Sequence, residues 1–238
     1  MVSKKSVTPF FTIVTCTKNS AKFLKECLAS VSSQTFRDFE HIAIDGKSSD
    51  STMAMLHAAG VITFVMPPHG IAVAMNEGIA HARGKYIYFL HSDDQLAGPD
   101  VLQRVHDYLM GHKELDWAYG QIEETNEEGR QVGIFPTRSV FQAPRPWLLW
   151  LYNYIPHQGV FMKREVFTRS GNFDPRYRIA MDYDFWLRVA RRTVWDFFPV
   201  VVAKYRVHAA ATSATPALRA RRRKEKIALR LRNLFRIQ

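Results

Sequence analysis

The chain has 238 residues, 47% of them hydrophobic and 23% charged, an ordinary globular composition long enough to bury one large core. Disorder, collagen and coiled coil are therefore excluded as whole-chain readings. The net charge is +11, but Arg219 to Arg236 carries nine lysines and arginines against the single acid Glu225, so +8 of it belongs to the tail. Cys16 and Cys27 have neither the number nor the spacing of a disulfide framework or a zinc site. Met1 to Pro9 has two lysines without a long apolar stretch behind them, which predicts no signal peptide. The strongest apolar run, Trp147 to Ile155, is far short of the ~20 residues that span a bilayer. The expected setting is cytoplasmic.

In chain order, Phe10 to Thr15 is a short β-branched run that predicts a buried strand. Phe23, Leu24, Cys27, Leu28 and Val31 follow at helical spacing. Phe39 to Ile44 predicts a second strand ending at Asp45-Gly46. Lys47 to Ser51 offers N-cap residues for a helix from Thr52 to about Ala59. Val61 to Met66 predicts a third strand, stopped by Pro67-Pro68. Ile71, Met75 and Ile79 mark a helix face ended by Gly84, and Tyr86 to Leu90 predicts a fourth strand that delivers His91-Ser92-Asp93-Asp94.

Strands and helices alternating through short connections predict βαβ units and a mainly parallel sheet, hence an α/β fold. Ligands of such sheets bind beyond the carboxyl ends of the strands. The polar clusters at Thr15 to Asn19, Asp45 to Asp50 and Ser92 to Asp94 fall there.

The second half is less regular. Val101, Leu102, Val105 and Leu109 make a helix face, and Trp117 to Ile122 predicts a strand. Glu127-Glu128-Gly129 reads as a turn into Val132 to Phe135. A Pro- and aromatic-rich segment, Pro144 to Pro156, leads into His157-Gln158-Gly159-Val160-Phe161. Asp182 to Arg192 predicts a helix with Trp186 and Val189 inward, and Val200 to Tyr205 a late strand.

No Gly-x-Ser-x-Gly elbow and no zinc-spaced histidine pair is present. Asp93-Asp94 is the sharper feature. Adjacent carboxylates at a strand end suit a hard divalent cation that leaves positions open for substrate phosphates, whereas a polar turn is the plainer alternative. Asp182 and Asp184 open a helix, where one is expected to cap and the other is available as a general base. His208, after the last strand, reads as a surface histidine on its own.

Taken together, these segments resemble a family 2 glycosyltransferase. The resemblance runs through Thr12 to Asn19, Ile44 to Asp50, Ala74-Met75-Asn76-Glu77-Gly78-Ile79 and Ser92-Asp93-Asp94. It continues through His157 to Phe161, Gly171-Asn172-Phe173-Asp174, Met181 to Arg188 and Tyr205-Arg206-Val207-His208, covering about residues 9 to 213. Departures from the family pattern are Cys16, Pro68, Val73, His91 and Met181.

The resemblance implies a GT-A fold over residues 1–215, a nucleotide-sugar donor (a UDP-sugar by preference) and an inverting transfer. It implies Mn²⁺ or Mg²⁺ on Asp94 and His208, with Asp93 near the donor ribose. Asp45 would contact the base or ribose, and Thr17, Lys18 and Asn76 would line the nucleotide pocket. Asp182 would be the catalytic base, and His157, Gln158 and Trp186 the acceptor-side candidates. The expected acceptor is a glycan or a lipid-linked group, in cell-surface polysaccharide or glycolipid assembly. A catalytically silent nucleotide- or partner-binding relative is the competing reading.

Residues 216–238 form a separate basic amphipathic helix, with Ile227, Leu231, Leu234 and Phe235 on one face. It is expected either to pack on the domain or to lie through 219–236 on an anionic membrane surface at the inner face of the cell membrane. Nucleic acid is not an expected partner, because the basic run lacks interleaved aromatics.

Overall fold

The computed structural model describes residues 8–208 and 216–234. The segment read as lacking a leader, through residue 7, the boundary drawn at 215, and Phe235 and Arg236 lie outside the described residues. The elements begin with β1 (Phe11–Thr17), α1 (Ala21–Ser32), β2 (Phe39–Asp45), α2 (Thr52–Ala58), β3 (Ile62–Val65), α3 (Ile71–His81) and β4 (Tyr86–Phe89). Then come β5 (Gln95–Leu96), α4 (Val101–Gly111), β6 (Trp117–Thr125), β7 (Gln131–Phe135), α5 (Pro146–Leu151) and β8 (Val160–Lys163). The last are α6 (Arg164–Ser170), α7 (Met181–Val189), β9 (Trp195–Arg206) and α8 (Pro216–Leu234).

One sheet runs β3-β2-β1-β4-β8-β6-β9-β5, with β7 paired to β6. β1 pairs in parallel with β2 and β4, and β2 with β3, as the alternating pattern predicts. β8 is antiparallel to both β4 and β6, and β9 is parallel to β6, so β5, β7 and β8 oppose the other strands. The sheet is buried on both faces, which explains the unbroken apolar runs of its strands. Along β1, Phe11 and Ile13 join the core under α1, α2 and α4, whereas Val14 and Cys16 join the core under α3 and α7.

Several elements differ from the sequence expectation, which named no strand or helix at β5, β8 or α6. The strand expected from Val200 begins earlier, at Trp195, because Trp195 to Phe197 pairs with Trp117 to Tyr119. Pro199 follows that stretch and lies where the register slips past Gly120, an irregularity that tolerates its missing N–H. A Cβ at Gly120 would stand 2.6 Å from the Val200 carbonyl oxygen. The Pro- and aromatic-rich segment contains α5, a short helix with Pro146 at its start, where a missing donor costs nothing.

Gly78 has a packing role. A Cβ there would meet Val14 Cγ1 at 2.4 Å, so α3 rests directly on β1. Val14 is stiff at χ1 and cannot swing aside cheaply. Gly78→Ala is therefore expected to cost about 1–3 kcal/mol by overpacking. A denaturant titration should show the loss, and Val14→Ala in the same chain should recover part of it.

Candidate active site

Parallel strands bring the ends of β1, β2 and β4 to one edge of the sheet, and the residues after β9 join them. Two adjoining cavities open there, of about 460 and 670 Å³, and both are lined by Cys16, Lys18, Ile71 and Arg178. The first also holds Asp93, Asp182, His91, His157 and Gln158. The second is walled by Thr17, Gly46, residues 66–74 and Tyr177.

His208 meets Asp93, Nε2 to Oδ2 at 2.9 Å, and Asp93 lines the first cavity. The sequence reading joined His208 to Asp94 instead. Asp94 is 1% exposed and lines neither cavity. Its Oδ1 accepts the Arg206 N–H at 2.9 Å and its Oδ2 has no hydrogen-bond partner among the described residues. Burial, then the neighbouring Asp93 charge, push its carboxyl well above the usual carboxylate range. The turn explains the swap: adjacent residues leaving β4 point opposite ways, one into the cleft and one toward β9. Arg206 fills the space behind them. It is buried, bonds the Asp93 carbonyl at 3.2 Å and the Glu127 carbonyl at 2.6 Å, and pairs with Glu26.

Asp45 also lies behind the cleft. It is fully buried, and its oxygens accept from Thr17 Oγ1 at 2.7 Å, Ser48 N at 2.8 Å and Ser48 Oγ at 2.6 Å. It therefore ties the end of β1 to the loop after β2 and lines neither cavity. Lys18 lines both cavities, with Nζ donating to the Gly46 and Lys47 carbonyls at 2.8 and 2.9 Å. Asn76 does not line either cavity. Its Nδ2 donates to the Phe173 carbonyl at 2.9 Å and its Oδ1 accepts the Phe173 N–H at 3.0 Å, clasping α3 to the loop before α7.

The two carboxylates of α7 have separate surroundings. Asp182 lines the first cavity, and its Oδ1 accepts the Tyr183 N–H at 2.6 Å. Burial raises its pKa, while that bond and the charge of Lys226 pull the other way without cancelling the rise. Asp184 is 2% exposed and pairs with Arg188 at 2.9 Å and Arg232 at 3.7 Å. Neither is the N-cap, which is Ala180. Instead Glu225, reaching from α8, accepts the N–H groups of Arg178, Ile179 and Ala180 at 3.1, 3.0 and 2.9 Å. A carboxylate there satisfies donors at the helix start and complements its dipole.

Of the acceptor-side candidates, His157 and Gln158 line the first cavity and Trp186 does not. Trp186 is 1% exposed and stacks on Trp117 with centroids 5.6 Å apart, a core residue. His157 is 8% exposed, stacks on His91 at 5.2 Å, and neither ring nitrogen has a hydrogen-bond partner among the described residues. Burial, with His91 beside it, drives its pKa well below the usual value, so the ring is neutral. A neutral imidazole has one donor and one acceptor nitrogen, and both ring nitrogens of His157 are buried.

The tail reaches this site too. Arg222 and Lys226 of α8 line the first cavity and Arg221 the second. Sequence reasoning did not place Arg178, Arg206, Arg222, Lys226 or Glu225 here. The one available signal was Glu225, a lone acid within a cationic run.

A family model described as Glycosyl transferase family 2 matches residues 12–171. The PGL/p-HBAD biosynthesis glycosyltransferase of Mycobacterium bovis is 33% identical over 205 residues, covering 83% of this chain and 77% of that protein. An uncharacterized glycosyltransferase of Haemophilus influenzae is 24% identical over 220 residues, covering 87% and 68%. S. aureus TarS 1–349 in complex with UDP-GlcNAc shares the fold with a TM-score of 0.71 at 18% identity, covering 84% of this chain and 59% of that one. The mannosyltransferase PcManGT from Pyrobaculum calidifontis, in complex with GDP-Man and Mn²⁺, has a TM-score of 0.67 at 17% identity and covers 98% and 66%. This chain thus spans about three fifths of the length of those solved structures. The curled α/β sheet is a GT-A fold, and with the family match over most of its length the chain belongs to glycosyl transferase family 2, the glycosyltransferases.

Proposed function

We propose that the protein is an inverting, metal-dependent glycosyltransferase that moves a sugar from a UDP-sugar to the hydroxyl of a lipid-linked or glycan acceptor in cell-surface polysaccharide or glycolipid assembly. The observation that carries this is Asp182, a carboxylate of raised pKa, in the same cavity as Asp93 with its His208 partner. TarS and PcManGT, with their nucleotide-sugar complexes, support the donor class.

In this reading the nucleotide lies in the larger cavity against Thr17 and Lys18, and the sugar in the smaller one. Asp182 accepts the proton of the acceptor hydroxyl while its oxygen attacks the anomeric carbon and the nucleoside diphosphate leaves from the opposite face. A base with a raised pKa is better matched to that proton than an ordinary aspartate. His157 and Gln158 orient hydroxyls beside it. Asp94, Arg206 and Asp45 hold the groups that face the ligand.

Asp93 and His208 suit a divalent cation, since a carboxylate oxygen and an imidazole are ligands Mn²⁺ accepts. No cluster of three such ligands exists among the described residues, so phosphate oxygens would have to complete the coordination of any bound ion. When bound, the ion supplies charge neutralisation at the leaving diphosphate. A thermal-shift series with UDP and GDP, with and without Mn²⁺, tests the donor reading, because a ligand of the native state raises its melting point. Asp93→Ala should abolish the Mn²⁺-dependent part of the shift. A UDP shift that is identical in chelator would remove the metal from this scheme.

The base is tested by a pair of variants. Asp182→Asn should lower transfer by about two to four orders of magnitude at nearly unchanged donor affinity. Asp184→Asn should lower the melting temperature instead, since it weakens the pairs with Arg188 and Arg232. Because Asp182 must be unprotonated to act and its pKa is raised, the acid limb of kcat should lie above the ordinary aspartate value of about 3.9. A limb at or below that value would move the base elsewhere.

A membrane-held acceptor is favoured by the outer surface of α8. Leu229 is buried, whereas Ile227 and Leu231 are 48% and 53% exposed, beside exposed Arg223 and Lys224. Trp150 Nε1 donates to the Arg230 carbonyl and Arg230 donates to the Leu151 carbonyl, which sets α5 and its exposed Trp147 and Tyr152 next to that turn. Aromatic and aliphatic side chains flanked by cations fit an anionic bilayer surface, although no helix among the described residues is long and apolar enough to cross one. The chain should co-sediment with phosphatidylglycerol vesicles and not with phosphatidylcholine ones. Ile227→Glu with Leu231→Glu should release it without changing UDP affinity.

A further inference from the structure

A terminal helix ordinarily docks by turning an apolar stripe inward. α8 does the reverse. Among its described side chains Leu229 is buried, while Ile227 and Leu231 face outward, and the inner face is held by polar contacts. Glu225 binds the start of α7 through three N–H groups, and Arg232 donates to Tyr177 Oη at 3.1 Å and pairs with Asp184.

The same inner face carries Arg222 and Lys226, four residues apart and so on one side of the helix, and both line the cavity that holds Asp93 and Asp182. Arg178, from the loop ahead of α7, lines both cavities and so stands at their junction. Neither Arg178 nor Arg222 forms an ion pair among the described residues. Lys226 is partly buried, which lowers its pKa; the Asp182 charge favours its charged form, while Arg222 and Arg230 disfavour it. Asp182 offsets only part of this cationic cluster, so a further anion would be attracted to it.

We propose that Arg178, Arg222 and Lys226 bind the diphosphate of the nucleotide-sugar donor, which makes α8 a wall of the donor site. This rests on the donor reading above and names the residues that would recognise the phosphates. A ligand that spans both cavities, with base and ribose in one and sugar in the other, passes its phosphates through their junction at Arg178. Guanidinium groups offer paired donors matched to phosphate oxygens, and Lys226 adds a point charge. Glu225 sets the register: by fastening α8 to residues 178–180, immediately ahead of α7, it fixes the cations relative to the Asp182 carboxylate. The phosphate of a charged acceptor is the other source of the same chemistry, and the test separates the two.

The experiment is calorimetric titration of the full chain with UDP, uridine, GDP, guanosine and inorganic pyrophosphate at fixed Mn²⁺, for wild type, Arg222→Met, Lys226→Met and Lys226→Arg. Each Met variant should lose roughly tenfold in diphosphate affinity, the worth of one charged hydrogen bond, with nucleoside affinity unchanged and unliganded melting temperature preserved. The loss should shrink at high salt, and Lys226→Arg should keep most of the wild-type affinity. Equal losses for UDP and uridine would mean that α8 acts through packing and would overturn the proposal. Unchanged UDP affinity alongside weakened pyrophosphate binding would assign the cations to another phosphate and also overturn it. A wild type that binds neither nucleoside diphosphate would remove the donor reading itself, whereas wild-type binding that the variants retain removes this proposal alone.

Discussion

Parallel pairing of β1 with β2 on one side and β4 on the other is the constraint on which the site depends. Parallel strands end at the same edge, so every residue that leaves a strand there is delivered to one cleft. Thr17 and Lys18, Gly46, and Asp93 are separated by up to 76 positions in sequence and converge because their strands share a direction. The helices must then return on the two faces. That buries the sheet on both sides and leaves its carboxyl edge as a place where polar groups can collect.

At that edge the polar residues sort into two layers. Asp45, Asn76, Asp94 and Arg206 lie behind the cleft and are engaged with backbone or with one another. Thr17, Lys18, Asp93, Asp182, His157 and Gln158 border the open space. The sorting follows from the cost of burying a carboxylate, which is tolerated only when hydrogen bonds replace its water. Asp45 meets that condition through Thr17 and Ser48. Asp94 meets it on one oxygen only, and its acidity is shifted accordingly. The rear layer sets the positions of the front one, as His208 on Asp93 and Arg206 behind both illustrate.

The basic tail is part of this arrangement. Its only acid, Glu225, binds the N–H groups of Arg178, Ile179 and Ala180 on the approach to α7. Those contacts link the placement of Asp182 to the docking of α8, so α7 and the cations of α8 are set together. With its polar face thus engaged, the helix shows Ile227 and Leu231 outward. One helix therefore has two differently built faces, one toward the cleft and one toward the surroundings of the protein.

Periodicity and strand-end chemistry made the α/β class legible in the sequence, along with the positions of the first four strands and the edge where the cleft opens. These features are local: an apolar repeat and a polar turn are read within a window of about ten residues. Several residues singled out in the sequence, Asp93, Asp182, His157, Gln158 and His208, reach the cleft or its border. Which of two adjacent acids faces the cleft was not, because Asp93 and Asp94 are distinguished only by where β9 packs. Nor was the choice between Asp182 and Asp184 settled by helical spacing, since it depends on Arg188 and Arg232 occupying Asp184. Trp186 has the composition of a sugar-binding residue and sits instead against Trp117 in the core. The direction of the tail was the least legible. Hydrophobic pattern predicted its apolar face, of which Ile227 and Leu231 are exposed, while contacts between residues 45 to 47 positions apart, outside any local window, dock the opposite face through Glu225.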